Sequence, residues 1–262
     1  MQKRQLLKLL LLLPLSLIAT TKTPFDLKRS HQRHRIKKHW MDMWQSFHYF
    51  DYDDREEMGY GVLRVLDDAT IGTMDGTPIH PHKNMEILTI MLEGEIYHQD
   101  NLGNKGLLKA GEIQLMSAGS GLKHAETNPS RFDKAKALQI WISPKIPDCI
   151  PYYQHRHVPE NLMHNRLYPI VSQTAEQASF AINQDALIYR GIFTKEKKII
   201  LKNRFQGNGF YIFVIKGELR INKTTLKARD ALGLNNGKTL ELICSNASDV
   251  LVFDIPMEGA FY

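Results

Sequence analysis

Two short histidine-bearing segments carry the clearest chemistry in the chain. His80 and His82 flank Pro81, and further on His124 and Glu126 flank Ala125. Side chains on a β-strand alternate between faces, so each pair presents two groups to one side. Three imidazoles and a carboxylate form a mixed nitrogen and oxygen set suited to iron, manganese, nickel, copper or zinc. Four protein ligands also leave positions on an octahedral ion open to substrate or dioxygen. Glu86 follows His82 with the same strand parity, so either Glu86 or Glu126 is expected within reach of such an ion. The His-x-His spacing also arises by chance. His155 and His157 repeat it beside Arg156 with no downstream histidine–carboxylate pair, and they read as solvated. His31, His34, His39, His48 and His164 stay unassigned. His98, beside a turn at Asp100, reads as a hydrogen-bonding strand-end residue rather than a ligand.

The elements that must position these groups read as strands. From residue 60 onward, short runs of β-branched and apolar residues are punctuated by Gly, Asn, Asp and Pro: Tyr60 to Val65, Glu86 to Leu92, Glu95 to Gln99, Glu112 to Met116 and Ala137 to Ile142. A second set follows: Ser179 to Ile182, Ala186 to Thr194, Lys198 to Leu201, Gly209 to Ile215, Glu218 to Ile221, Ala231 to Leu234, Leu240 to Ile243 and Val250 to Phe253. Such spacing predicts a sandwich or barrel. The turn-rich segment from Asp100 to Gly106 predicts a hairpin. The halves also resemble each other. Met91-Leu92-Glu93-Gly94-Glu95-Ile96 aligns with Val214-Ile215-Lys216-Gly217-Glu218-Leu219, and Lys109-Ala110-Gly111-Glu112-Ile113 with Lys227-Ala228-Arg229-Asp230-Ala231. Two copies of one β-barrel explain this economically. Pro144, Pro147 and Pro151 mark the join between them.

A chain of 262 residues, 43% hydrophobic and 24% charged, is long enough for two modest globular domains. Its net charge of +6 does not point to nucleic acid, because ten Lys and Arg fall in residues 1–40 against the single acid Asp26. The remainder holds 24 basic and 27 acidic residues and lacks a basic surface for tracking phosphates. Cys149 and Cys244 have no disulfide or zinc spacing and read as ordinary thiols. Lys3, Arg4 and Lys8 precede or interrupt an apolar run that ends at Ile18. Its core from Leu9 to Ile18 would reach only about 15 Å as a helix, half a bilayer, so residues 1–21 read as an export leader rather than a membrane span. Exported or periplasmic localisation is the expectation; the alternative is a cytoplasmic protein whose reading frame includes upstream codons.

The motifs then line up in order with a known family. His80-Pro81-His82, Met85-Glu86, Leu92-Glu93-Gly94, His98-Gln99-Asp100, Gly103-Asn104, Ala110-Gly111-Glu112, the run Met116 to Gly121 and His124-Ala125-Glu126 resemble the pirin family of bicupins. The resemblance continues upstream through Trp44, Phe47, Tyr52, Met58-Gly59, Leu63-Arg64-Val65 and Asp67-Asp68, reaching faintly to Phe25. It implies an all-β bicupin: two tandem jelly-roll-like cupin barrels with few short helices. The expected divisions are a metal-binding N-terminal domain at 22–143, a linker at 144–152 and a metal-free C-terminal domain at 153–262. It implies that His80, His82, His124 and Glu126 hold the metal, and makes Glu86 a residue that orients a ligand imidazole. Against the general cupin pattern, Ser117 replaces a usual proline and two extra residues separate Gly119 from His124. After His164 the C-terminal repeat has no histidine, so it has no matching site.

Fold alone does not name a reaction, and the resemblance implies two classes. The first is a dioxygenase of the quercetin 2,3-dioxygenase type, with one divalent ion, Fe2+ expected and Zn, Mn, Ni, Cu or Co of similar ligand preference, opening a flavonol with O2 to a depside and carbon monoxide. The cation would stabilise a deprotonated flavonol hydroxyl; Glu126 is the expected base and Glu86 the alternative. Its pocket should be apolar, with Phe47, Met91, Met116 and Trp141 as candidate walls, although apolar strand residues more often serve as core. The second class is an iron-dependent, redox-sensing binding protein of transcription factors, which an export leader disfavours. A cupin isomerase or small-ligand binder is a further alternative. No nucleic acid and no transmembrane span are expected.

Overall fold

The computed structural model describes residues 25–47, 58–175, 180–235 and 239–259. The leader-like segment and His48 lie outside them. Among the described residues no helix is long and apolar enough to cross a membrane. The described residues of the first part form β1 (Phe25–Lys28), β2 (His34–Lys37), β3 (Met41–Gln45), β4 (Leu63–Ile71), β5 (Gly76–His82), β6 (Glu86–Glu93), β7 (Glu95–Asp100), β8 (Lys105–Lys109), β9 (Glu112–Ser117), β10 (Leu122–Thr127), β11 (Ala135–Ile142) and β12 (Tyr152–His157). After the short helix α1 (Glu160–Met163) come β13 (Tyr168–Ser172), β14 (Phe180–Ala181), β15 (Leu187–Phe193), β16 (Lys197–Lys202), β17 (Asn208–Lys216), β18 (Glu218–Ile221), β19 (Thr224–Lys227), β20 (Ala231–Leu234), β21 (Thr239–Cys244) and β22 (Ser248–Pro256).

They form two pairs of sheets. A seven-stranded sheet, β12-β9-β6-β11-β4-β3-β2, faces a four-stranded sheet, β5-β10-β7-β8, and the second half repeats this with β1-β20-β17-β22-β15-β13-β14 facing β16-β21-β18-β19. The all-β bicupin expectation holds, but each unit is a two-sheet sandwich with free edges rather than a closed barrel: among the described residues no ladder joins the ends of one sheet to those of the other. The internal repeat is real in three dimensions. Gly94 between β6 and β7 and Gly217 between β17 and β18 both have positive φ (70° and 74°), the conformation a tight turn takes at glycine. At the next matched turn Gly111 has φ 84°, and Arg229 holds φ 71° without glycine's freedom.

Hydrogen bonding crosses the sequence division near residues 144–152. β12, C-terminal to it, pairs with β9 of the first unit, while β1 from the N-terminal end pairs with β20 of the second. Each unit's exposed sheet edge is thus covered by a strand from the other half of the chain, which protects the edge and ties the units together. The two large sheets also pack back to back. Leu88 and Ile90 of β6 meet a cluster shared with Tyr211, Phe213 and Ile215 of β17, and each such side chain contributes about 1.5–3 kcal/mol on burial. Alternation then sends Phe210, Ile212 and Val214 of β17 into the second sandwich, among Leu219, Leu242 and Cys244. That interior is apolar throughout, and burial pushes the Cys244 thiol up to about 12.

Asp230 anchors the exchanged N-terminal strand. It accepts hydrogen bonds from Arg29 Nη1 at 2.7 Å, Ser30 N at 2.8 Å and Lys227 N at 3.1 Å. Burial alone would raise its carboxyl, but these bonds outweigh that and hold it below the ordinary value. A depressed carboxyl stabilises the fold fully above the unfolded value of about 4, and that stabilisation is lost as pH falls through the lower folded value. Asp230→Ala is therefore expected to cost about 1–2 kcal/mol near neutral pH, with the difference from wild type shrinking in acid. Hydrogen exchange should show faster opening of residues 25–32 in the variant; unchanged protection there would contradict this role.

Candidate metal centre

The expected residues converge between the two sheets of the first sandwich. β5 is the outer strand of the small sheet, where Pro78 and Pro81 cost no ladder donor to a central strand. His80 lies opposite His124 and His82 opposite Leu122, so the inward faces of β5 and β10 are in register. A bulge follows, with Thr77 rather than residue 78 opposite Glu126. Gly76 permits that approach, since a Cβ there would sit on the Glu126 carbonyl oxygen.

Three imidazoles share one space. Ring centroids are 4.4 Å apart for His80 and His124, 4.8 Å for His80 and His82, and 5.0 Å for His82 and His124; one ring nitrogen from each lies within 4.8 Å of the others. Burial first, then the neighbouring histidines, lowers both His82 and His124 to about 3, so both are neutral and carry a lone pair at neutral pH. The Nε2 atoms of His82 and His124 are buried and have no hydrogen-bond partner. An unsatisfied buried acceptor costs about 1–3 kcal/mol, which a bound cation removes. The donor set therefore fits a divalent metal ion on chemical grounds.

Hydrogen bonds also select the tautomers. A carbonyl only accepts, so His80 Nδ1 donates to Pro78 O at 2.8 Å and leaves Nε2 bare. Asp100 is held ionised: burial would raise it, but the Asn104 side chain and backbone and the Leu102 N–H outweigh burial and lower it. His98 Nε2 donates to Asp100 at 3.4 Å, which leaves His98 Nδ1 to accept from His124 Nδ1 at 3.4 Å and His124 Nε2 bare. His98 is thus inside the site, fully buried, stacked on Tyr153 at 4.7 Å and 4.0 Å from Glu126. Its bond to Asp100 near the end of β7 is the one expected of a strand-end residue, and the inward face it shares with Ile96 is what brings it into the site.

The two carboxylates part company. Glu126 faces the same interior and accepts from Gln114 Nε2 at 2.8 Å, while Tyr153 O–H donates to Gln114 Oε1 at 3.1 Å and so orients the amide. Glu86 lies on the other face of the large sheet, in step with Leu88 and Ile90, and points toward the second unit. There Ser117 O–H donates to it at 2.6 Å, with Tyr152 O–H and Asn183 N each at 3.4 Å. The shared parity with His82 does not carry over, because the turn through Asn84, at φ 50°, separates β5 from β6. His155, on β12, pairs with Glu112 at 3.1 Å.

A cavity of about 360 Å³ opens onto His80 and Glu126. Trp40, Met41, Met43, Val65 and Trp141 form apolar walls, and Gln45, Asp67, Thr89 and Gln139 place polar groups along one side. Of the four expected wall residues, Trp141 lines the cavity, with its ring 4.8 Å from that of His82. Met91, Met116 and Phe47 are core.

Comparison with known proteins agrees with this geometry. Residues 27–142 match the Pirin family and residues 169–255 the quercetinase C-terminal cupin domain. Quercetin 2,3-dioxygenase from Escherichia coli strain K12 is 34% identical over 230 residues, covering 88% of this chain and 98% of that protein. A pirin-like protein from Caulobacter vibrioides is 32% identical over 216 residues, covering 82% and 92%. A solved bacterial pirin from E. coli, in complex with nickel(II), superposes with a TM-score of 0.82 at 34% identity, covering 88% of this chain and 99% of that one. From its duplicated sandwich, its histidine cluster and these relatives, the chain belongs to the pirin family of bicupins.

Proposed function

We propose that this chain is a metal-dependent dioxygenase of the quercetinase type, acting on a flavonol with O2, with Fe2+ as its ion. One observation carries the reading: two neutral, buried, unpartnered imidazole nitrogens stand beside a largely apolar cavity, walled in part by Trp40 and Trp141, that also admits Glu126. The named activity of the E. coli relative supports it. His80, His82 and His124, through Nε2, and Glu126 would hold the ion. When bound, it supplies a positive charge that stabilises a deprotonated flavonol oxygen and an open position for dioxygen.

The chain's own residues do the rest. Gln114 holds Glu126 Oε1, so Oε2 is the oxygen left to take the proton from the flavonol hydroxyl. The aromatic walls fix a planar ligand against Trp141 and exclude water, which strengthens every charge interaction inside. The Asp100–His98–His124 chain of hydrogen bonds keeps His124 Nε2 bare for the ion.

Purified protein loaded with Fe2+ and incubated in air with quercetin should consume the flavonol absorbance band in a metal-dependent manner. Retention of the band, with the ion shown to be bound, would overturn this substrate. The two carboxylates separate by variants. Glu126→Gln is expected to lower metal affinity at least tenfold, the scale of losing one ligand or its support, whereas Glu86→Gln should keep the full metal content. Burial raises the Glu86 carboxyl despite its hydrogen bonds from Ser117, Asn183 and Tyr152. A raised carboxyl destabilises the fold as pH climbs above its unfolded value. The melting temperature of Glu86→Gln relative to wild type should therefore rise as pH climbs above about 4, and metal loss in this variant would restore Glu86 to the site.

A further inference from the structure

The polar groups along the cavity form one row across the large sheet. Gln45 of β3 lies opposite Asp67 of β4, Asp67 opposite Gln139 of β11, Gln139 opposite Thr89 of β6, and Thr89 opposite Gln114 of β9. At the metal end Gln114 donates to Glu126, and in the middle Thr89 O–H donates to Gln139 at 2.7 Å. Those groups satisfy one another.

Asp67 does not share in this. It is only 6% exposed, its Oδ2 accepts from Gln45 Nε2 at 3.3 Å, and its Oδ1 is buried with no partner. The next residue shows the contrast. Asp68 points out of the other face of the sheet and pairs with Arg229 at 2.5 Å and Arg33 at 3.9 Å. Among the described residues Asp67 makes no salt bridge, the Arg33 charge acting on it only from farther off, and it lines the cavity. From Gln114 to Asp67 the row crosses three strand spacings, about 14 Å, the scale of a ring system of three linked aromatic rings.

We propose that Asp67, backed by Gln45, anchors the end of the ligand remote from the metal, and that the ligand class is a flat aromatic carrying a hydroxyl at that end. This rests on the flavonol reading above and sharpens it. A hydroxyl donating to or accepting from the Asp67 carboxyl gives this under-bonded group a second partner, and a ligand without it leaves the carboxyl with Gln45 alone. Burial pushes the carboxyl up to about 7, so both its protonated and ionised forms are at hand near neutral pH.

Two probes test this without turnover: quercetin, and 3-hydroxyflavone, which keeps the metal-facing hydroxyl and lacks those on the outer rings. Binding to metal-loaded protein is followed anaerobically by quenching of tryptophan fluorescence, with metal content measured in each variant. Wild type should favour quercetin by about tenfold or more, the value of one buried hydrogen bond. Asp67→Leu should abolish that ratio with full metal content, and Asp67→Asn, which still hydrogen-bonds, should retain most of it. A ratio that survives in Asp67→Leu overturns the anchor and leaves the flavonol reading standing. Wild type that binds neither probe overturns the flavonol reading and this ligand class together.

Discussion

Imidazole nitrogens that have been taken out of water need something to bond, and in the first sandwich two of them have nothing of the protein's own. The Nε2 atoms of His82 and His124 lie between two sheets, lowered by burial to the neutral form and unpartnered. Fold and site are arranged around that demand. β5 and β10 bring the rings together in register, Pro78 O and the His98–Asp100 pair choose which nitrogen faces inward, and Gln114 draws Glu126 to the same interior. A divalent ion answers the demand in one step, at the cost of a cluster that is poorly satisfied without it.

The second sandwich shows what the scaffold does without that demand. It repeats the first in all but the parallel pair β13–β14 at its edge, yet the small-sheet strands in the places of β5 and β10 carry Ile199, Leu201, Leu240 and Leu242 inward, packed with Phe210, Val214 and Val250. It forms an ordinary apolar core, and its large sheet backs the metal-facing sheet through the shared cluster. The reciprocal exchange of β1 and β12 makes the two units one folding problem, because neither can complete its edge alone.

Much of this was legible in the sequence where a local rule governs. The two-residue period placed His80, His82, His124 and Glu126 on inward faces, and turn glycines located most strands and the repeat; Glu218–Ile221 and Ala231–Leu234 form as read. The failures are those of long-range register. Glu86 kept its parity with His82 on paper, but the Asn84 turn reset it, and the residue faces the other unit. His98 bonds Asp100 beside its turn as expected, but its place inside the site is set by its pairing with Glu126 across β7 and β10, which nothing local announces. The row from Gln45 to Gln114 comes from five strands scattered over the first half of the chain, and nothing local announces that they will align. The edge strands β1 and β12 are equally silent, since their partners lie in the opposite half.

Which atoms hold the ion is read most directly, and without reference to substrate, by X-ray absorption at the edge of the bound metal. Three imidazole nitrogens with a carboxylate oxygen, at about 2.0–2.2 Å, and the loss of one nitrogen in His124→Ala, are the predicted result. A shell of oxygens alone, or one that His124→Ala leaves unchanged, would contradict it.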